Sequence, residues 1–139
     1  MSEKSIAVRY YSKTGNTKKL AERIAATAGC KAETIEVEFS EKVDILFLGA
    51  SVYYAGIDKK MKEYIAGLDR NKVGKVVVFS TSALAERAFP SIKKHLSSKN
   101  IKVEADDFYC RGQFAVLYAG KPDEKDLTAA EEFTRKIIG

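Results

Sequence analysis

Apolar residues along this chain switch repeatedly between two periods. Short runs rich in Val, Ile, Phe and Tyr, of the kind that form strands, fall at residues 6–11, 34–37, 44–49, 75–79 and about 102–109. Between and after them the spacing lengthens to that of a helix. Leu20, Ala21, Ile24, Ala25 and Ala28 make one small-residue face, suited to close packing on a sheet. Met61, Tyr64, Ile65 and Leu68 make a second, and Phe89, Ile92 and Leu96 a third, in which Pro90 is acceptable only in the first turn. Ala130, Phe133, Thr134 and Ile137 make a fourth, introduced by Pro122-Asp123 and further acidic residues. Strands alternating with helices predict parallel βαβ units, an α/β domain.

One connection strains this scheme. Only residues 38–43 separate the second and third expected strands, where a parallel crossover usually takes a dozen or more. An extended segment of that length reaches about 20 Å, barely enough to run back along a short strand and past a neighbour. The expectation is a short second strand and a bare, taut crossover without a helix.

The chain, 139 residues with no internal repeat or linker-like tract, predicts a single domain over residues 1–139. No apolar run approaches the ~20 residues that cross a bilayer, and the polar start Met1-Ser2-Glu3-Lys4 is unlike a secretory signal, so a cytoplasmic protein without membrane insertion is expected. Cys30 and Cys110 stand far apart with no metal-ligand spacing, and both are expected to be reduced thiols rather than zinc ligands. Cys110 reads as a packing residue. His95, beside Lys93 and Lys94 on a helix expected to be exposed, carries no catalytic expectation.

The net charge of +5 is unevenly spread. Residues 32–58 carry six acidic and one basic side chain, whereas residues 59–102 carry eleven basic and three acidic. Alternating blocks of this kind describe solvated faces better than a duplex-binding stripe, and no nucleic-acid-binding motif accompanies them, so no nucleic-acid partner is expected. Arg9 is the exception to a solvated charge. It falls on the first strand, which should be central and buried, and it therefore needs a partner, for which Glu36, Glu38 and Asp44 are the nearby candidates.

The strongest local signal lies where the first strand breaks, at Ser12, Lys13, Thr14, Gly15, Asn16 and Thr17. In open parallel α/β sheets, ligands bind beyond the carboxyl ends of the strands, and the first strand-to-helix turn is the natural anion site. Backbone N–H groups at a helix start lack partners and carry the positive end of the helix dipole. Gly15 permits close approach, while the hydroxyls of Ser12, Thr14 and Thr17 and the amide of Asn16 add uncharged donors. With a single glycine, the turn is neither a triphosphate loop nor a dinucleotide turn. By composition alone the same residues fit a plain helix cap equally well.

Taken as a motif, Tyr10-Tyr11-Ser12-Lys13-Thr14-Gly15-Asn16-Thr17 resembles the flavodoxin signature, a [ST]-x-T-G-x-T loop that binds the phosphate of flavin mononucleotide (FMN). The resemblance extends to Ile45-Leu46-Phe47-Leu48-Gly49-Ala50-Ser51, similar to the third strand and the start of the first flavin loop. It continues in residues 76–82, similar to the fourth strand, and in Phe108-Tyr109-Cys110-Arg111-Gly112 with the final loop and helix of short-chain flavodoxins. It implies a flavodoxin-like, doubly wound five-stranded parallel sheet ordered 2-1-3-4-5 with helices on both faces, and non-covalent FMN at its carboxyl edge. The flavin ring would lie between Ser51, Val52, Tyr53, Tyr54, Ala55 and Gly56 on one side and Thr81, Ser82, Ala83 and Leu84 on the other. Tyr53 and Tyr54 are equal candidates to stack on it, and Ala55-Gly56 is the peptide free to turn toward its N5.

Two features depart from the family pattern. The second loop has no aromatic, which leaves Leu84 to cover that face, and the chain is net basic where typical flavodoxins are strongly acidic. The implied function is electron transfer between redox proteins, a reductase and an acceptor, by a monomer or weak dimer with no catalytic side chain and no metal. Two further readings share the fold: a small flavin-dependent oxidoreductase, either an NAD(P)H or quinone reductase or a relative of protoporphyrinogen oxidase, and a binding module that has lost its flavin.

Overall fold

The computed structural model describes residues 4–12, 15–39, 41–53, 56–82, 88–112 and 120–139. The strands are β1 (Ile6–Tyr10), β2 (Ala32–Thr34), β3 (Val43–Tyr53), β4 (Gly56–Ile57), β5 (Val73–Ser82) and β6 (Phe108–Arg111), and the helices are α1 (Asn16–Ala28), α2 (Lys59–Ala66), α3 (Phe89–Ser97) and α4 (Glu124–Ile138). The parallel sheet runs β2-β1-β3-β5-β6, which is the expected 2-1-3-4-5 order once the two-residue β4, antiparallel to β3, is set aside.

Strict alternation along the central strands builds the layers. On β3, Ile45 and Phe47 join α1 and α4 in one core, and Leu46, Leu48 and Ala50 join α2 and α3 in the other. On β5, Val77 and Phe79 face the first core and Val76 and Val78 the second. All are essentially inaccessible, and burying each large side chain contributes about 1.5–3 kcal/mol. Gly49 is required by this packing, because a Cβ there would sit 2.2 Å from the Phe79 ring.

The strands differ from the periodicity in instructive ways. β2 lies earlier than expected, at Ala32–Thr34, and the crossover from Ile35 onward carries no helix among its described residues. β3 and β5 run further toward their carboxyl ends than their apolar cores, because polar Ser51, Thr81 and Ser82 still pair. The last strand is only Phe108–Arg111. Residues 102–107 pair with the sheet at a single bridge, Val76 to Val103, and Ala105-Asp106-Asp107 separates that bridge from Phe108.

Arg9 is buried, at 7% exposure, and its expected ion pair does not form. Its Nε donates to the Val37 carbonyl at 2.7 Å, its NH1 donates to the Val8 carbonyl at 3.1 Å, and the guanidinium lies 5.4 Å from the centre of the Phe39 ring. Asp44 instead accepts from the Ser5 N–H. A crossover without a helix brings its own backbone carbonyls over β1, and these need donors. Arg9 supplies one, and Phe39 covers it where a helix would otherwise lie.

Candidate cofactor site

The carboxyl edge of the sheet brings three of the expected segments together. β1 ends at Tyr10, the chain turns through Ser12 and Gly15, and α1 begins at Asn16. The Gly15 N–H donates to Ser12 Oγ at 2.9 Å, which curls the turn. Gly15 sits at the N-cap with φ +89°, a left-handed conformation natural to glycine, and a Cβ built there would meet nothing within 4 Å. Gly15, at the N-cap, brings no capping side chain of its own and the first turn of α1 holds no acidic residue, so no carboxylate of that turn competes for the positive end of the helix dipole.

Behind this turn stands a buried cluster of hydroxyls. Thr17 Oγ1 lies 2.6 Å from Ser51 Oγ and 2.8 Å from Thr81 Oγ1, and the last edge, Ser51 to Thr81, measures 3.4 Å. The three residues come from the first turn of α1 and the ends of the paired strands β3 and β5, where Ser51 and Thr81 are register partners. Each hydroxyl can donate one proton and accept others, and the Ser51–Thr81 edge, the longest, is the weakest of the three. Ser51 keeps 7% exposure, against 0% for Thr17 and 1% for Thr81, and is the member that can reach outward.

The end of β6 closes the arrangement. A Cβ on Gly112 would lie 2.7 Å from the side-chain nitrogen of Asn16, and the Gly112 N–H donates to the Ser82 carbonyl at 3.2 Å. Gly112 therefore lets Asn16 pack against the sheet edge. This role was not singled out from the sequence, where only its position after an apolar strand pointed to it. Val52 pairs with both Ser82 and Ile57, and Tyr53 pairs with Gly56, so the segment after β3 folds back on itself as a short hairpin. Lys13, Thr14, Tyr54, Ala55, Ala83 and Leu84 lie outside the described residues, as do residues 85–87 of the second loop.

The thiols and the imidazole stand apart from this chemistry. Cys110 is buried next to the site, and burial pushes its thiol up to about 12, so it stays neutral. His95 is half-buried rather than exposed, and its Nδ1 lies 2.8 Å from the Ser91 carbonyl of its own helix. Among the described residues there is no cluster of three metal-ligating side chains and no helix long and apolar enough to cross a membrane.

A family model described as a flavodoxin domain matches residues 7–133. No curated protein sequence matches. Among solved structures, the fold is similar to a flavodoxin from the domain Archaea, with a TM-score of 0.80 at 17% identity over 96% of each chain. It is also similar to oxidised flavodoxin 2 from Bacillus cereus, with a TM-score of 0.69 at 19% identity over 94% of this chain and 95% of that one. An NADH:FMN oxidoreductase in its apo form shares the fold as well, with a TM-score of 0.66 at 15% identity over 98% of this chain and 90% of that one.

Proposed function

Because this chain belongs to the flavodoxin family, we propose that it binds FMN non-covalently and carries electrons between redox proteins in the cytoplasm. The observation that supports this most is the convergence of Thr17, Ser51 and Thr81 at the start of α1. Residues 12–17 would hold the phosphate: the start of α1 would offer the positive end of its dipole, Gly15 would leave room for it, and Ser12, Asn16 and Thr17 would frame it. The residues present fit a phosphate monoester held by hydrogen bonds and the helix dipole.

Bound FMN supplies one-electron and two-electron redox chemistry. The chain's own part is to bind, orient and shield. The hairpin of β3 and β4 and the end of β5 would flank the ring, with Tyr53 or Tyr54 as the aromatic face. No side chain acts as acid or base in this reading.

The test is reconstitution with FMN followed by stepwise reduction. A carrier shows flavin absorbance, passes electrons to a protein acceptor, and turns over neither NAD(P)H nor a quinone alone. Rapid turnover of either without a partner protein would assign the site to a reductase instead.

A further inference from the structure

Of the helices that begin at the carboxyl edge of the sheet, α1 and α3 break an electrostatic preference that α4 obeys, and α2 meets it only through its N-cap, Asp58. Helix starts favour acidic side chains and helix ends basic ones. α4 follows this, with Glu124 and Asp126 in its first turn and Arg135 and Lys136 in its last. α1, α2 and α3 have no acidic residue in the first turn. They place Lys18 and Lys19, Lys59 and Lys60, and Lys93 within their first five residues, all exposed.

Several of these ammonium groups lean toward the sheet edge. Lys60 Nζ lies 5.9 Å from the centre of the Tyr11 ring, just beyond β1, and Lys93 Nζ lies 5.7 Å from that of Phe89, the first residue of α3. Among the described residues neither Lys18 nor Lys19 has an ion-pair partner, and Lys59 makes only a 4.0 Å contact with Glu63. The acids at the start of α4 are, by contrast, already engaged. Arg23 holds Glu124 at 2.8 Å, and Lys121 holds Asp123 at 2.9 Å and Asp126 at 3.3 Å. Among the described residues the edge thus carries a collar of lysines with few ion-pair partners, reinforced by the dipoles of α1 and α3, while the Asp58 carboxylate caps α2.

We propose that this collar is the docking surface for an acidic protein face, that of the redox partner in the carrier reading. Charge complementarity around an electron exit steers encounter and orients the pair. A nucleic acid is the poorer fit, because the lysines surround one edge with Asp58 among them and do not form an extended stripe. The identity of the partner as a redox protein rests on the FMN reading, whereas the surface itself does not.

The experiment is a titration of isotope-labelled protein, with and without FMN, with two haem proteins of opposite charge, acidic cytochrome b5 and basic cytochrome c. Cytochrome b5 is expected to bind, with amide shifts at the starts of α1, α2 and α3, and to bind about tenfold more weakly when salt rises from about 20 to about 200 mM. Lys60→Glu with Lys93→Glu is expected to weaken that binding at least about tenfold with thermal stability and FMN affinity unchanged, while Arg135→Glu on α4 leaves it unaltered. Preference for cytochrome c, shifts confined to another face, or tighter binding of duplex DNA at the same salt would each overturn the proposal. Failure to take up FMN, with collar binding intact, would remove the carrier reading and leave the acidic-partner surface standing.

Discussion

Thr17 and Thr81, 64 positions apart, share a buried hydrogen bond of 2.8 Å between their hydroxyls. That contact ties the first turn of α1 to the end of β5, and Ser51 joins both to β3. Thr17→Val keeps the shape but removes the hydroxyl that serves both neighbours. It is expected to cost about 1–3 kcal/mol in denaturant unfolding, because two buried oxygens lose a partner, and to weaken FMN binding at least about tenfold.

Gly49 and Phe79 make a second close relationship, between adjacent central strands. Gly49→Ala would press a methyl group into the ring, and neither strand can retreat while both faces are covered. The expected destabilisation is about 1–3 kcal/mol, measured by chemical denaturation. An unchanged midpoint would mean that the Phe79 ring relocates freely.

Arg9 reports on the bare crossover. Arg9→Met leaves the Val37 carbonyl without its donor and is expected to lower stability by about 1–3 kcal/mol. Amide exchange should quicken at residues 35–39. Glu36→Gln and Glu38→Gln, which remove carboxylates that do not pair with it, should shift stability by no more than about 0.5 kcal/mol.

The start of α4 carries a pH dependence. The Lys121 ammonium, followed by the Asp126 N–H, holds the Asp123 carboxyl down to about 2, below its ordinary value near 3.8. A carboxylate depressed by folding adds stability above its unfolded value and loses it as pH falls through its folded one. The contribution should therefore be full at pH 5 and above, and fade between about pH 4 and 2. Lys121→Met is expected to lower Tm slightly at pH 6 and to match the unaltered protein at pH 2, followed by circular dichroism.

The two thiols should separate by reactivity. Burial raises both, with Cys110 pushed up to about 12, while nearby Arg9 partly offsets the effect at half-buried Cys30. A thiol-specific reagent at pH 8 is expected to modify Cys30 first and Cys110 only on unfolding.

Much of this was legible in the sequence, for reasons that differ by element. The alternation of Ile45, Leu46, Phe47 and Leu48 and the small face of α1 prescribe a covered parallel sheet, because each period admits one burial pattern. Ser12, Gly15, Asn16 and Thr17 marked the turn between β1 and α1. Harder to read were contacts that depend on register. The pairing of Ser51 with Thr81, and the approach of Gly112 to Asn16, follow only once the strands align. The partner of Arg9 was misread for a related reason. Sequence displays carboxylates but hides backbone carbonyls, and it was a carbonyl of the crossover that needed the donor.

The most direct test compares FMN with riboflavin, which lacks the phosphate, in fluorescence titrations of the flavin-free protein. One FMN is expected to bind per chain, quenched on binding and raising Tm, with riboflavin at least about 100-fold weaker if the residue 12–17 turn recognises the phosphate. Equal binding of the two flavins, or binding of neither, would contradict the FMN reading.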